Sequence, residues 1–541
     1  MRQFSGKSFL LILLLCLLAF PALAQQKYWV LFQDKGELSL YRPGDLLSEF
    51  ALANRAKQGI ALDQHDYPVN PAYRAGLEAL GLKTVHNSRW FNAVSVWMEA
   101  KDMGRVLNLP YVQAVQPVGG YQHITGVEDD CEALAPIDTF TRQLTMLGLD
   151  ALHEQGITGR GVRVAVFDNG FRGAATLAAF SHIFSENRVI ASRDFVEPGH
   201  NVFDPCDGSC RHGTNVWSIL AGDMPGQLRG AAPGADFILL RTEADNSETT
   251  QEEDNWVAAA EYADSLGAQV FTTSLGYLTF DGGIGNYSLS DLDGNTAIIT
   301  RAGDMAASRG ILVINSGGNN GDRGLNAPAD GDSILAIGSV NPCEAYSRFS
   351  SQGPTADGRI KPDLTAMGEM TFYANGSGGV SRGNGTSYSA PLVAGLAACL
   401  FQAHPGVSAR EVHEALIRSG DRYASPDNFY GYGIPKGPIA SGLLRDISLQ
   451  EGAAGLVYPN PGTGSFFIVL RERDSEAPIR IELFDLAGRR VHREEFAPGP
   501  LASLRFSIET HLPTGLYLLQ VSDRRSGKRV FKGKISIHNP E

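Results

Sequence analysis

Apolar runs and helical stripes alternate through the middle of this chain. Val162–Phe167, Asp236–Leu240, Ala268–Thr272 and Ile311–Asn315 are short and almost wholly apolar, as strands buried on both faces are. Trp256, Val257, Ala260, Ala263 and Leu266 recur at helical spacing between the second and third runs. Ile298, Ala302 and Met305 form another stripe, which Gly310 closes. This order predicts an α/β domain over residues 139–445, with a parallel sheet between two helical layers. Ligands of such sheets gather at the carboxyl ends of the strands. Asp168, Ser274-Leu275-Gly276 and Asn319 all follow apolar strands directly, so they should share one edge.

The flanks carry different patterns. Lys27–Gln33, Trp90–Glu99 and Val112–Val118 read as strands, with helices expected at Leu46–Ala56 and Lys101–Leu109. That is a small α/β domain over 25–118. Residues 119–138 are acidic, contain glycine and show no periodicity, which suits a linker with a maturation site. Beyond a second linker at 446–456, residues 457–541 alternate as strands. Examples are Ser465–Leu470, Ile479–Asp485, Gly515–Val521 and Val530–Ile537, with turn signals between them, as in a β-sandwich.

Composition narrows the partners. The net charge of −13 argues against nucleic acid, which calls for a basic surface. Arg2 and Lys7 precede an apolar run from Phe9 to Phe20, and Ala22-Leu23-Ala24 follows as a small-residue cleavage site. Residues 1–24 therefore read as a secretory signal peptide. No later stretch offers the roughly 18 uninterrupted apolar residues of a transmembrane anchor. Cys16 leaves with the signal peptide. Cys206 and Cys210 bracket a tight loop that a disulfide would close in an oxidising compartment. Cys131 and Cys343 could pair, with connectivity left open, and Cys399 shares a helical face with Leu392, Leu396 and Leu400 as a core thiol.

Three distant segments carry candidate chemistry. Val164–Phe167 runs into Asp168-Asn169-Gly170. Arg211-His212-Gly213-Thr214 puts a histidine where a helix can begin. Gly385-Thr386-Ser387 puts a serine on a strand-to-helix turn. Singly, each is a common turn or cap. A serine hydroxyl needs a base to take its proton, and a histidine base needs an orienting carboxylate. In the order Asp, His, Ser, these segments resemble the subtilisin family of serine proteases. The resemblance implies Ser387 as nucleophile, His212 as base and Asp168 as its partner. It also implies that Asn319, in Ser316-Gly317-Gly318-Asn319, donates to the oxyanion beside the Ser387 N–H. Ser274, Leu275 and Gly276 would bind the substrate backbone, facing a wall of Ser316, Gly317 and Gly318, with Asn326-Ala327-Pro328 near the pocket floor. Binding an extended peptide by strand addition implies broad endoproteolysis.

The resemblance departs at Asn169, where Thr or Ser is usual, and at Tyr388-Ser389, where Met-Ala is usual. Neither position transfers protons. His212 and Asn319 argue against the sedolisin branch, which uses Ser-Glu-Asp with an aspartate at the oxyanion position. The competing readings are a catalytically weak or inactive surface-binding protein on the same fold, and an esterase-type hydrolase. The second lacks the Gly-x-Ser-x-Gly elbow and would place serine first.

By the same resemblance, residues 25–118 would be a propeptide that assists folding and inhibits the enzyme in cis. No cofactor is required for catalysis. Structural calcium is a family habit, but Asp291-Leu292-Asp293-Gly294-Asn295 lacks the glycine and glutamate of an EF-hand and reads as an acidic turn. At the C-terminus, Tyr458-Pro459-Asn460-Pro461, Phe484-Asp485-Leu486-Ala487-Gly488-Arg489 and Leu512-Pro513-Thr514-Gly515-Leu516-Tyr517 resemble the sorting domain of type IX secretion cargo. That implies export through the periplasm and outer membrane to the cell surface or medium, with the secretion machinery as a partner. The expected state is a monomer acting on proteins or peptides.

Overall fold

The computed structural model describes residues 26–38, 41–117, 140–245, 249, 251–280, 286–448, 455–458, 465–470, 478–496, 505–509, 512–525, 527 and 529–537. The expected signal peptide and the 119–138 junction with Cys131 lie outside the described residues, as does Pro459-Asn460-Pro461.

The N-terminal part contains β1 (Gln26–Phe32), α1 (Glu49–Lys57), α2 (Pro71–Ala79), β2 (Lys83–Ser88), β3 (Ala93–Met98), α3 (Met103–Leu107) and β4 (Val112–Pro117). The sheet order is β2-β3-β1-β4, with every pair antiparallel. The expected strand-helix alternation was incomplete, because it omitted α2 and β2. β2 is Lys-Thr-Val-His-Asn-Ser, an edge strand with only Ser88 buried, so it carries no apolar signal. α1 starts at Glu49 because the Ser48 hydroxyl accepts from Ala51 N at 3.2 Å. β3 starts at Ala93, after a turn in which Asn92 has φ 51°.

The central sheet comprises β5 (Arg163–Asp168), β6 (Val189–Asp194), β7 (Asp236–Arg241), β8 (Val270–Thr273), β9 (Leu312–Ser316), β10 (Ile334–Val340) and β11 (Leu364–Met367). All run parallel in the order β11-β10-β9-β8-β5-β7-β6. The helices α4 (His212–Ala221), α5 (Gln251–Ser265), α6 (Ile298–Ser308) and α7 (Thr386–Ala403) cover its two faces. Alternate residues of β5 show the layering. Val164 and Val166 belong to the core beneath α4 and α7, and Ala165 and Phe167 to the core beneath α5 and α6. Every residue of α7 from Thr386 to Phe401 is buried, which is the signature of a helix apolar all round. Cys399 is buried there and free, as its helical face implied.

The C-terminal part holds two antiparallel sheets. Gly455–Tyr458, Ser465–Leu470 and Arg505–Glu509 form one. Arg490–Phe496, Ile479–Phe484, Gly515–Asp523 and Arg529–Ile537 form the other, in that order. Ile481, Leu483, Leu519, Val521 and Ile535 make the core on the second sheet.

The N-terminal sheet lies on α5, and the seam is built from opposite charges. Lys27 pairs with Asp254, both side chains fully buried. Arg55 donates to Asp66 at 2.6 Å and to Asp264 at 2.8 Å, and Arg89 reaches the same Asp264 at 2.6 Å. Glu261 accepts from Ser88 Oγ, Arg89 N and Trp90 N at 2.6, 2.9 and 3.1 Å. Trp29 and Trp90 pack into the α5–α6 core from the same side.

Candidate active site

Strand β5 delivers Asp168 to the sheet edge, and α4 opens on His212 beside it. Gly213 permits that approach, since a Cβ there would lie 2.8 Å from Asp168 Cβ and 2.5 Å from Gly170 O. His212 Nδ1 faces both Asp168 oxygens, at 2.9 and 3.1 Å. With Nδ1 donating to the carboxylate, Nε2 is the nitrogen left for chemistry. Burial opposes the imidazolium, but the charge and hydrogen bond of Asp168 outweigh it, with help from Asp245 and Glu243. His212 therefore holds its proton more tightly than a free histidine. The Tyr388 ring lies 6.2 Å from the imidazole at an interplanar angle of 27° and stacks on Tyr373 at 5.4 Å.

Ser387 is the second residue of α7, after Gly385 at φ 152°. The helix thus starts one residue before the serine, and Pro391 sits inside it. The N–H that proline lacks would have met the Ser387 carbonyl. Ser274 Oγ donates to this carbonyl at 3.0 Å instead, and Ser387 Oγ in turn lies 3.4 Å from Ser274 O.

Asn319 follows β9 and faces the same turn. Its Oδ1 accepts from Thr386 N at 2.9 Å and Thr386 Oγ1 at 3.0 Å. Because a backbone N–H must meet an oxygen, this fixes the amide orientation and leaves Nδ2 as the donating end. Thr386 Oγ1 also accepts from Gly318 N at 3.2 Å, tying the Asn319 loop to the start of α7.

A cleft of about 530 Å³ runs past Asp168, His212, Asn319 and Ser387, lined also by Ser274, Leu275, Gly276, Ser316 and Gly318. Gly317 does not line it, because its N–H is turned to Ile337 O on β10 at 2.8 Å. Asn326 is at the cleft, and Ala327 exchanges backbone bonds with Tyr277 at 2.7 and 2.9 Å. Asp293 makes the expected acidic turn, accepting from Asn295 N and Thr296 N at 2.8 Å each. Cys206 and Cys210 are disulfide-bonded, with Cα atoms 6.1 Å apart, and Cys343 is also disulfide-bonded.

Sequence reasoning missed two cleft carboxylates, Glu243 and Asp245. Both follow strand β7, so the strand-end rule applied to Asp168 could have found them. Burial pushes Glu243 up to about 7, although it accepts from Tyr277 OH at 2.6 Å and Thr242 Oγ1 at 3.1 Å. Asn169 also gains a role, since its side chain bonds both Asp245 and the Gly213 N–H.

Sequence profiles match three parts of the chain: the subtilase family at residues 159–433, a peptidase S8 propeptide domain of Bacteroidota at 27–128, and a secretion system C-terminal sorting domain at 456–537. Subtilisin E of Bacillus subtilis (strain 168) is 30% identical over 329 residues, which span 60% of this chain and 76% of that protein. The thermophilic serine proteinase of Bacillus sp. (strain AK1) is 28% identical over 277 residues, spanning 50% of this chain and 60% of its own length. Fervidolysin from Fervidobacterium pennivorans, described as a keratinolytic enzyme related to subtilisin, has the same fold. Its crystal structure aligns with 97% of this chain and 77% of its own, at 18% identity and a TM-score of 0.55.

Proposed function

The chain belongs to the subtilase family, and from that premise we propose that Ser387, His212 and Asp168 are the triad of this serine endopeptidase, with Asn319 as oxyanion donor. The observation that carries the reading is the convergence of all four on one cleft, with His212 Nδ1 held 2.9 Å from Asp168.

Substrate enters as an extended strand along Ser274–Gly276. Ser387 Oγ turns from the Ser274 carbonyl to the peptide carbonyl as His212 Nε2 takes its proton. Asp168 keeps the imidazole in the correct tautomer and offsets the imidazolium charge. The tetrahedral oxygen is met by Asn319 Nδ2 and the Ser387 N–H at the start of α7, donors already in place before charge develops. His212 returns the proton to the leaving amine, and water repeats the sequence on the acyl-enzyme. Main-chain recognition supports broad cleavage, with preference set by the walls at 274–276 and at Ser316 and Gly318.

The domain plan is a signal peptide at 1–24, propeptide at 25–118, linker at 119–138, peptidase at 139–445, linker at 446–456 and sorting domain at 457–541. The three matched profiles support it. The propeptide inhibits from its seat on α5, and the sorting domain engages the export machinery. A monomer is the expected state. Subtilisins need no catalytic cofactor. Structural calcium stays a family-level expectation with no ligands named; among the described residues no group of three His, Cys, Asp or Glu side chains could hold a metal ion.

The test is fluorophosphonate labelling of the secreted protein with mass mapping of the adduct. An adduct on Ser387 that is lost in His212→Ala is expected. Ser387→Ala should cut turnover by about 10⁶-fold, the loss measured for subtilisin itself. Unchanged peptide cleavage by Ser387→Ala would sink the triad assignment, and no adduct on the matured protein would leave the surface-binding reading.

A further inference from the structure

Asp245 lines the cleft without bonding to His212 or Ser387, and its own hydrogen-bond partners are unusually placed. One of its oxygens accepts from Asn169 Nδ2, and the other accepts from Cys210 N at 2.7 Å. Asn169 follows Asp168 in the chain, and its own N–H donates to Asp168 Oδ1 at 2.8 Å. Its side-chain oxygen accepts from Gly213 N at 3.4 Å, the residue after His212. A single asparagine thus brackets the Asp168–His212 pair, and Asp245 holds its amide. On the far side, Arg241 Nε donates to Asn169 O at 3.1 Å, while the rest of that guanidinium is engaged by Asp194 at 2.7 Å.

The second contact runs to the disulfide loop. Cys210 stands in the left-handed region at φ 51°, and its carbonyl accepts from Arg172 N at 2.9 Å. Gly208, at φ 125°, passes so close that a Cβ would come 2.2 Å from Asp245 Cβ. Gly170, at φ 137°, leaves room for Cys210 in the same way, since a Cβ there would meet Cys210 Cβ at 3.0 Å. Two glycines therefore let the cystine loop close over Asp245 on one side and the Asp168 turn on the other. Among the described residues Asp245 has no cationic partner, so what it joins are the disulfide loop and the Asp168 strand end.

We propose that Asp245 is a positioning residue for the Asp168–His212 pair, and that the Cys206–Cys210 loop exerts its hold on that pair through Asp245 and Asn169. The proposal rests on the triad reading above. Asp245 meets no reacting atom. It fixes Asn169, and Asn169 fixes the carboxylate and the start of α4. The groups that face the imidazole are Asp168, Asp245, Glu243 and the Tyr388 ring. The Asp245 charge favours the imidazolium, so neutralising it in place should move the acid limb of activity to lower pH.

The experiment uses the full chain, secreted and matured, in the variants Asp245→Asn, Asp245→Ala, Cys206→Ser with Cys210→Ser, and that pair combined with Asp245→Ala. Rates are taken per active serine titrated with a fluorophosphonate, so unfolded molecules do not count. Asp245→Ala should lose on the order of 10²-fold in kcat with little change in KM, the scale of a misplaced catalytic group. Asp245→Asn should lose less and show the acid limb at lower pH, which a purely structural role would not produce. The cystine-free variant should lose kcat as well, and adding Asp245→Ala to it should cost little more, because both act through one contact. Full kcat with an unmoved acid limb in the Asp245 variants overturns the proposal, as do losses that multiply. A failure of the triad reading looks different, since Ser387→Ala would then keep its activity.

Discussion

Pro391 and Ser274 are coupled through one oxygen. The proline removes the N–H that would have closed the helix on the Ser387 carbonyl, and the Ser274 hydroxyl fills that place at 3.0 Å. The edge that holds substrate is thereby pinned to the helix that carries the nucleophile. Ser274→Ala should leave a buried acceptor without a partner and destabilise the mature domain by about 1–3 kcal/mol. Urea unfolding midpoints check this. In a Pro391→Ala background the helix supplies its own donor, and the loss should shrink. Equal losses in both backgrounds would break the coupling.

Asn319 offers a purer test of transition-state binding. Its amide oxygen is held by Thr386, so its Nδ2 waits at the cleft in the resting enzyme. Asn319→Ala should lower kcat by about 10²–10³-fold with KM almost unchanged. Steady-state kinetics on a peptide substrate separate the two constants, and a change confined to KM would assign Asn319 to ground-state binding.

The pH profile should carry two overlapping titrations. His212 acts as a base only when neutral, and its proton affinity is raised, so activity should climb through a limb above the ordinary histidine value of 6.5. Glu243, pushed up to about 7 by burial, ionises in the same range and strengthens the hold on that proton as it does so. Glu243→Gln should give a steeper limb at lower pH. In stability the sign is reversed. A raised histidine stabilises the fold fully below its unfolded value, and this contribution is lost as pH rises through the folded one.

Inhibition by the propeptide should depend on Arg89, which spans the seam to Asp264 at 2.6 Å while its N–H meets Glu261. Truncating one partner of a buried charge pair costs about 2–5 kcal/mol. Arg89→Ala propeptide, added in trans to the mature enzyme, should inhibit correspondingly more weakly. An unchanged inhibition constant would move the grip elsewhere on the sheet.

The parts of this molecule legible in the sequence are those whose neighbours are apolar. β5, β8 and β9 bury every side chain or nearly so, and their residue order announces it. The motifs at Asp168, His212 and Ser387 were readable because strand ends and helix starts impose local residue choices. β6 escaped notice because it is the outer strand of the sheet and half its residues face water. β2 escaped because its partners lie on α5, where His86 meets Asn255 at 3.0 Å. Asp245 and Asn169 meet each other across 76 residues of chain, and reach Cys210 and Gly213 across 35 and 44, which no local pattern encodes. In one dimension Asn169 is only a departure at a position that transfers no protons, and in three it spans both members of a hydrogen-bonded pair.

The seam between the N-terminal sheet and α5 divides its chemistry unequally. The indoles of Trp29 and Trp90 travel with the piece that leaves, together with Lys27, Arg55 and Arg89. The flank that stays shows Asp254, Asn255, Glu261 and Asp264. Once the two separate, the stickiness goes with the fragment that has finished its work, and the enzyme keeps a wettable side. The detached piece is therefore expected to aggregate and be digested more readily than the mature enzyme.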